Sequence, residues 1–335
     1  MVRIALHLGI CHSTLATITF YLGLATLAAS ALPNTPPSYQ QYQRQHQSPL
    51  NPESRLPPYL TLPSTPKLPD GGHRSRLERP DGSSIWHVRY PAIWHHNNQR
   101  RPTVTFLHGG FSNSDYWGIQ IEKLLGQYPI LAIDSRGHGR STEADDQPIT
   151  YEAMTEDVVA VLDHLGIDST VLVGWSDGGI IGLDMALRHR QRLKSLFAFG
   201  ASYSYSNINT TIDQSHVFNR FLNRTEREYR KLNPRPDHLA TFEAKMNTMW
   251  ATLPDWDQST FEGLVSGGPT DGEEQQPLIF IVDGAEEEAV NRTTAPTLHD
   301  WIPGSGLTIL PLVSHFGFMQ DPSTFNAMLE RFLEW

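Results

Sequence analysis

The chain has 335 residues, enough for one large α/β domain or two small ones, and with 39% hydrophobic and 19% charged residues it can bury a sizeable core. The formal net charge is -10, and Lys and Arg are scattered singly or in pairs, so nothing in the charge pattern points to a nucleic-acid partner.

The first segment reads as a leader. Arg3 precedes an uncharged, mostly apolar stretch that runs through Leu15–Ala29 and ends in Ala29-Ser30-Ala31, followed at once by Leu32-Pro33. A positive residue, an apolar core and small residues at the end define a secretory signal peptide over residues 1–31. The competing reading is an uncleaved anchor, because the stretch approaches the ~20 residues a bilayer span needs; only then would a membrane be a partner. The single cysteine, Cys11, lies inside this segment, so the mature chain would carry no thiol, no disulfide and no cysteine-ligated metal. Asn-x-Thr sequons at Asn209, Asn223 and Asn291 fit the secretory route and would be surface sites if glycosylated.

Residues 32–70 are rich in Pro, Gln and Ser, a composition expected of a flexible or extended linker. Beyond it, Pro80-Asp81-Gly82 is a turn between two extended segments, Arg74–Arg79 and Ser84–Tyr90. Short apolar runs follow at Thr103–Leu107, Ile130–Ile133, Thr170–Val173, Leu196–Phe199, Leu278–Val282 and Leu307–Leu310. Runs of this kind suit a mostly parallel sheet covered on both faces by helices. Met154, Val158, Val161, Leu162 and Leu165 recur at helical spacing behind a Thr150 N-cap, with Gly166 as the stop. From about 201 to 268 the alternation breaks: helical stretches at Asn219–Leu232 and Leu239–Thr252, with Phe242, Met246, Trp250 and Trp256, predict a helical cap inserted between strands. Most of these apolar side chains would pack the cap, with one or two lining a pocket.

The chemistry centres on Gly174-Trp175-Ser176-Asp177-Gly178-Gly179, which follows a strand and opens a helix. Small residues at 174 and 178 allow the sharp turn of a nucleophile elbow, with the Ser176 hydroxyl at its apex and a helix N-terminus behind it. Serine needs a base, and His315 follows the last strand; His299 falls in a helix, and His108 and His138 read as structural. An orienting acid is expected after Leu278–Val282, where Asp283, Glu286, Glu287 and Glu288 compete. For the oxyanion, the backbone N–H of Asp177 is one expected donor and Gly110, with Phe111 next, the other.

Taken together, Leu107-His108-Gly109-Gly110, Asp134-Ser135-Arg136-Gly137-His138-Gly139-Arg140-Ser141, the serine elbow and Ser314-His315-Phe316 resemble the α/β-hydrolase superfamily over residues 73–335. The elbow is similar to that of small-molecule esterases related to valacyclovir hydrolase. The resemblance implies an acid three residues after a loop glycine; here this is Glu287, a Glu where Asp is common, with Asp283 second. Epoxide hydrolases and haloalkane dehalogenases share the fold but use Asp as nucleophile, and Ser176 argues against both.

The expected activity is hydrolysis of a carboxylic ester, lactone or amide of a small apolar substrate through an acyl-enzyme, with no cofactor and no metal. The alternatives are another chemistry on the same scaffold (acyltransferase, lyase or cofactor-free oxygenase) and a non-catalytic ligand-binding protein. Sequence is silent on oligomeric state.

Overall fold

The computed structural model describes residues 56–92, 101–267 and 276–335; the expected leader and linker residues 32–55 lie outside them. Eight strands build one sheet: β1 (His73–Glu78), β2 (Ser84–Tyr90), β3 (Thr103–Leu107), β4 (Ile130–Ile133), β5 (Thr170–Trp175), β6 (Leu193–Phe199), β7 (Leu278–Gly284) and β8 (Gly306–Leu310). Their order is β1-β2-β4-β3-β5-β6-β7-β8. β1 and β2 form the expected hairpin, β2 runs antiparallel to β4, and every pairing from β4 to β8 is parallel.

Strand side chains alternate between two cores, as a pleat of period two requires. Leu107, Leu131, Ile133, Leu172, Leu196 and Ile281 enter one; Phe106, Ile130, Ala132, Val173, Phe197 and Val282 enter the other. The first core is closed by α2 (Tyr151–His164) and α3 (Asp177–Arg188), the second by α1 (Gly118–Leu124) and, after the C-terminal crossover, by a helix over Pro322–Leu333. Thr150 caps α2 as predicted, its hydroxyl accepting from the Ala153 N–H at 3.0 Å. Leu172 is fully buried, so truncating it to Ala would cost ~2–5 kcal/mol through lost transfer energy and the cavity left behind.

Between β6 and β7 lie the two cap helices, α4 (His216–Leu232) and α5 (Leu239–Trp250). α4 buries Val217, Phe221, Thr225 and Tyr229, one residue per turn on a single face. Past β7 come α6 (Thr294–Trp301), the short α7 (Gly317–Gln320) and α8 (Pro322–Leu333).

The expectation of a flexible or extended linker up to residue 70 needs a correction from Leu56 onward. Leu62 and Leu68 are buried in the second core. Arg224 of α4 donates to the Leu62 and Pro63 carbonyls, and Gln320 Nε2 donates to the Thr61 carbonyl at 2.9 Å. After a short 3-10 turn over Pro58–Leu60 the chain runs on without regular secondary structure, and its Thr61, Leu62 and Pro63 carbonyls accept from α7 and the cap. The segment is a strap across the domain.

Candidate active site

Ser176 sits between β5 and α3 with φ 54° and ψ -119°, a left-handed conformation that a residue with a Cβ adopts only under tertiary constraint. The elbow is pressed against the neighbouring strand: a Cβ on Gly178 would lie 2.3 Å from the Leu107 carbonyl oxygen of β3. Only glycine lets α3 start this close to the sheet. The elbow therefore lies beside the His108–Phe111 loop, where Phe111 also has positive φ, at 59°. Among the described residues, no protein acceptor is paired with the backbone N–H of Gly110, Phe111 or Asp177.

His315 follows β8 in a loop fastened on its backbone side by Glu288. One Glu288 oxygen accepts from the His315 N–H and the other from the Ser314 hydroxyl, each at 3.0 Å. Gln320 accepts from the Ser314 N–H at 2.8 Å and reaches the strap through Thr61. The imidazole Nδ1 lies 2.9 Å from Glu287 Oε2, both side chains buried. The remaining Glu287 oxygen accepts from the N–H groups of Ala289, at 2.6 Å, and Val290, at 3.2 Å. Burial pushes the Glu287 carboxyl up, with the neighbouring Glu288 adding to it, while these donors act in the opposite sense. Burial also lowers the His315 pKa, which favours neutral imidazole.

Of the competing acids, then, Glu287 is the one in contact with the imidazole. Asp283, at the end of β7, is equally buried but accepts from the Gly284 N–H at 2.8 Å. Glu286 pairs outward with Arg292. His299 lies in α6 and bonds Ser305. His108 ties two loops together through the Ser135 N–H at 3.0 Å, and His138 bonds the Arg136 carbonyl.

Ser176, His315, Gly110 and Asp177 all line one cavity of about 260 Å³. Its walls are mainly apolar, with Ile208, Ile212, Phe218, Phe221, Leu222 and Trp250 from the cap, and among the described residues no Lys or Arg lines it. Tyr205 and Leu222 are exposed where they line it. The other apolar cap side chains pack instead: Phe242 and Met246 in the first core, Trp256 against Phe261.

Local pattern did not reveal what surrounds Asp177. Its buried carboxylate receives the Tyr151 hydroxyl at 2.8 Å and the Trp250 indole N–H at 3.1 Å. Burial still holds its pKa up, at about 6. The roles of Glu288, Gln320 and the strap were equally invisible, since their partners lie tens to hundreds of residues away.

A family model for the alpha/beta hydrolase fold matches residues 102–263. A putative carbamate hydrolase RutD from Caulobacter sp. (strain K31) is 35% identical over 96 residues, 29% of this chain and 36% of that relative, so this match spans about a third of the relative's length. A pimeloyl-[acyl-carrier protein] methyl ester esterase from Edwardsiella ictaluri is 24% identical over 72% of this chain and 97% of its own. Among solved structures, a meta-cleavage product hydrolase from Pseudomonas fluorescens IP01 superposes with a TM-score of 0.62 at 15% identity, covering 78% of this chain and 97% of that one. The chain thus has the α/β-hydrolase fold, with the family match confined to the core from β3 to β6 and the cap that follows.

Proposed function

We propose that the protein is a serine hydrolase that cleaves a small, neutral, apolar carboxylic ester through an acyl-enzyme. The observation that carries this reading is the buried 2.9 Å contact between His315 Nδ1 and Glu287, on a histidine that shares its cavity with the elbow serine. With Nδ1 engaged, Nε2 is the ring nitrogen left to exchange a proton with Ser176.

In this mechanism Ser176 Oγ attacks the carbonyl carbon while Nε2 takes its proton. The oxyanion is held by the N–H of Asp177 and that of Gly110; each such donor supplies roughly 3 kcal/mol. Collapse expels the alcohol, which receives the proton from His315. Water then attacks the acyl group by the same route and regenerates Ser176. Glu287 keeps the imidazole oriented and stabilises its protonated form.

The cavity supports a neutral substrate: with an anionic Asp177 beside the elbow and no cation on its walls, an acyl group bearing its own carboxylate would be repelled. The leader-like N-terminus supports secretion of the enzyme. The test is a fluorophosphonate probe together with a panel of neutral esters. Wild type should be labelled and turn over esters, and Ser176→Ala should do neither. Labelling that survives that substitution would remove Ser176 from the mechanism.

A further inference from the structure

The carboxyl groups of Asp283 and Glu287, both buried, share a side-chain hydrogen bond, and Glu287 is in turn bonded to the His315 ring. Two carboxylates in such contact cannot both hold a charge out of water, so one proton lies between them. The donors decide where it resides. Glu287 receives three, from Ala289 N–H, Val290 N–H and the His315 ring, and each favours the anion. Asp283 receives one, from the Gly284 N–H. Burial and the neighbouring Glu287 charge push the Asp283 carboxyl well above its ordinary range, in the same sense.

We propose that Asp283 is a positioning residue, a neutral carboxylic acid whose O–H donates to the Glu287 carboxylate and keeps it charged and aimed at His315. Nothing is transferred from it during turnover: the Asp283 proton stays in place while His315 gains and loses its own. The other charges around the pair are accounted for. Glu288 is committed to the His315 backbone and the Ser314 hydroxyl. Arg292 pairs with Glu286 and reaches only the backbone carbonyl of Glu287. Asp177, which lines the same cavity, acts on His315 as a nearby charge. Among the described residues no cation is left to neutralise a second carboxylate beside Glu287, so a proton must.

The proposal rests on the serine-hydrolase reading above, and the experiment separates the two. In the full chain, kcat and the acid limb of kcat/KM are measured for Asp283→Asn, Asp283→Ala and Glu287→Gln, with Ser176→Ala as the control for the reading itself. A neutral donor should be replaceable by a neutral donor. Asp283→Asn is expected to keep kcat within about threefold of wild type, with the acid limb in place, because no charge has been removed. Asp283→Ala should lose roughly 10- to 100-fold, the range for a hydrogen bond to a charged group. Glu287→Gln should lose on the order of 10⁴-fold. If Asp283→Asn falls as far as Glu287→Gln and its acid limb drops to lower pH, Asp283 carries the charge and the proposal is overturned. Activity that persists in Ser176→Ala would instead sink the serine-hydrolase reading. Should the variants not fold, infrared spectra of the wild-type chain decide: a protonated-carboxyl band at mildly alkaline pH must shift on selective carbon-13 labelling of aspartate and vanish in Asp283→Asn if that variant is recovered. The absence of an aspartate-dependent band overturns the proposal by itself.

Discussion

The indole N–H of Trp250, the last residue of cap helix α5, is 3.1 Å from both carboxylate oxygens of Asp177, the residue after the elbow serine. Tyr151, at the start of α2, completes the clamp from the core side at 2.8 Å. Cap and core thus meet on one buried carboxylate, so the two parts cannot shift independently without breaking a charge-assisted bond.

Replacing Trp250 with Phe keeps the ring and removes the donor. An ionised Asp177 then loses a partner, and the variant should be destabilised by ~1–3 kcal/mol at neutral pH. The Asp177 carboxyl is already raised to about 6, above its unfolded value, and the substitution raises it further. A raised carboxyl costs stability above its folded pKa and costs nothing below its unfolded one. The difference between the two proteins should therefore shrink as pH falls from neutral toward 6 and be largely gone below it. Urea unfolding of both proteins across that window checks it; a pH-independent difference would mean that the clamp is not electrostatic.

Gly110 packs under the same indole. A Cβ there would lie 2.2 Å from Trp250 Cζ2 and 2.7 Å from Asp177 Oδ2, so Gly110→Ala must displace the loop that carries the proposed oxyanion donor. The expected effect is a 10²- to 10³-fold loss in kcat with a smaller change in KM, as for removal of one such donor. Trp250→Leu in the same chain should recover part of it. If no recovery follows, the clash is elsewhere.

Substrate charge should be reversible at the cavity wall. Leu222 lines the cavity and is partly exposed, so a lysine there can keep its ammonium wet while extending toward the acyl group. Leu222→Lys should raise kcat/KM for half-esters of dicarboxylic acids relative to neutral esters by roughly tenfold at low salt, and less at high salt. An unchanged ratio would argue that the acyl group does not reach this wall.

His138 is buried against Phe242, and burial lowers its pKa to about 3. A histidine depressed in the folded state binds its proton more readily when unfolded. Its contribution is thus present above the ordinary histidine pKa of ~6.5 and is lost as pH falls from there toward 3. His138→Asn should be less stable than wild type at neutral pH, yet lose stability less steeply on acidification, by up to ~1.4 kcal/mol per pH unit. Parallel curves from chemical denaturation would show that His138 is not the group titrating.

The strap can be cut at one side chain. Arg224→Ala removes the bonds to the Leu62 and Pro63 carbonyls, and faster amide hydrogen exchange is expected in α4 and near Gln320, with little change in the sheet. Unaltered exchange in α4 would show that the strap does not hold the cap.

Much was legible from local pattern. The eight strands, the Thr150 cap and the helical insertion all express a period or a capping chemistry that acts within one or two turns of chain. The elbow was legible for the same reason: strand, small residues, serine and helix are contiguous. Boundaries were less so, and β6 begins at Leu193 rather than Leu196 because its first residues pair with β5 across the sheet. The strap has the composition of a free linker, while Leu62 and Leu68 are buried by side chains contributed from far along the chain.

By itself, then, the sequence determined the α/β alternation, the serine at the apex of a tight turn and the histidine after the last strand, since each depends on residues adjacent in the chain. Which carboxylate meets His315 Nδ1, which groups surround Asp177 and what lines the cavity were decided only by the tertiary structure. Four acidic residues within six positions have the same local pattern, and only the packing of β7 against the β8 loop determines which of them is buried with its oxygens toward the imidazole.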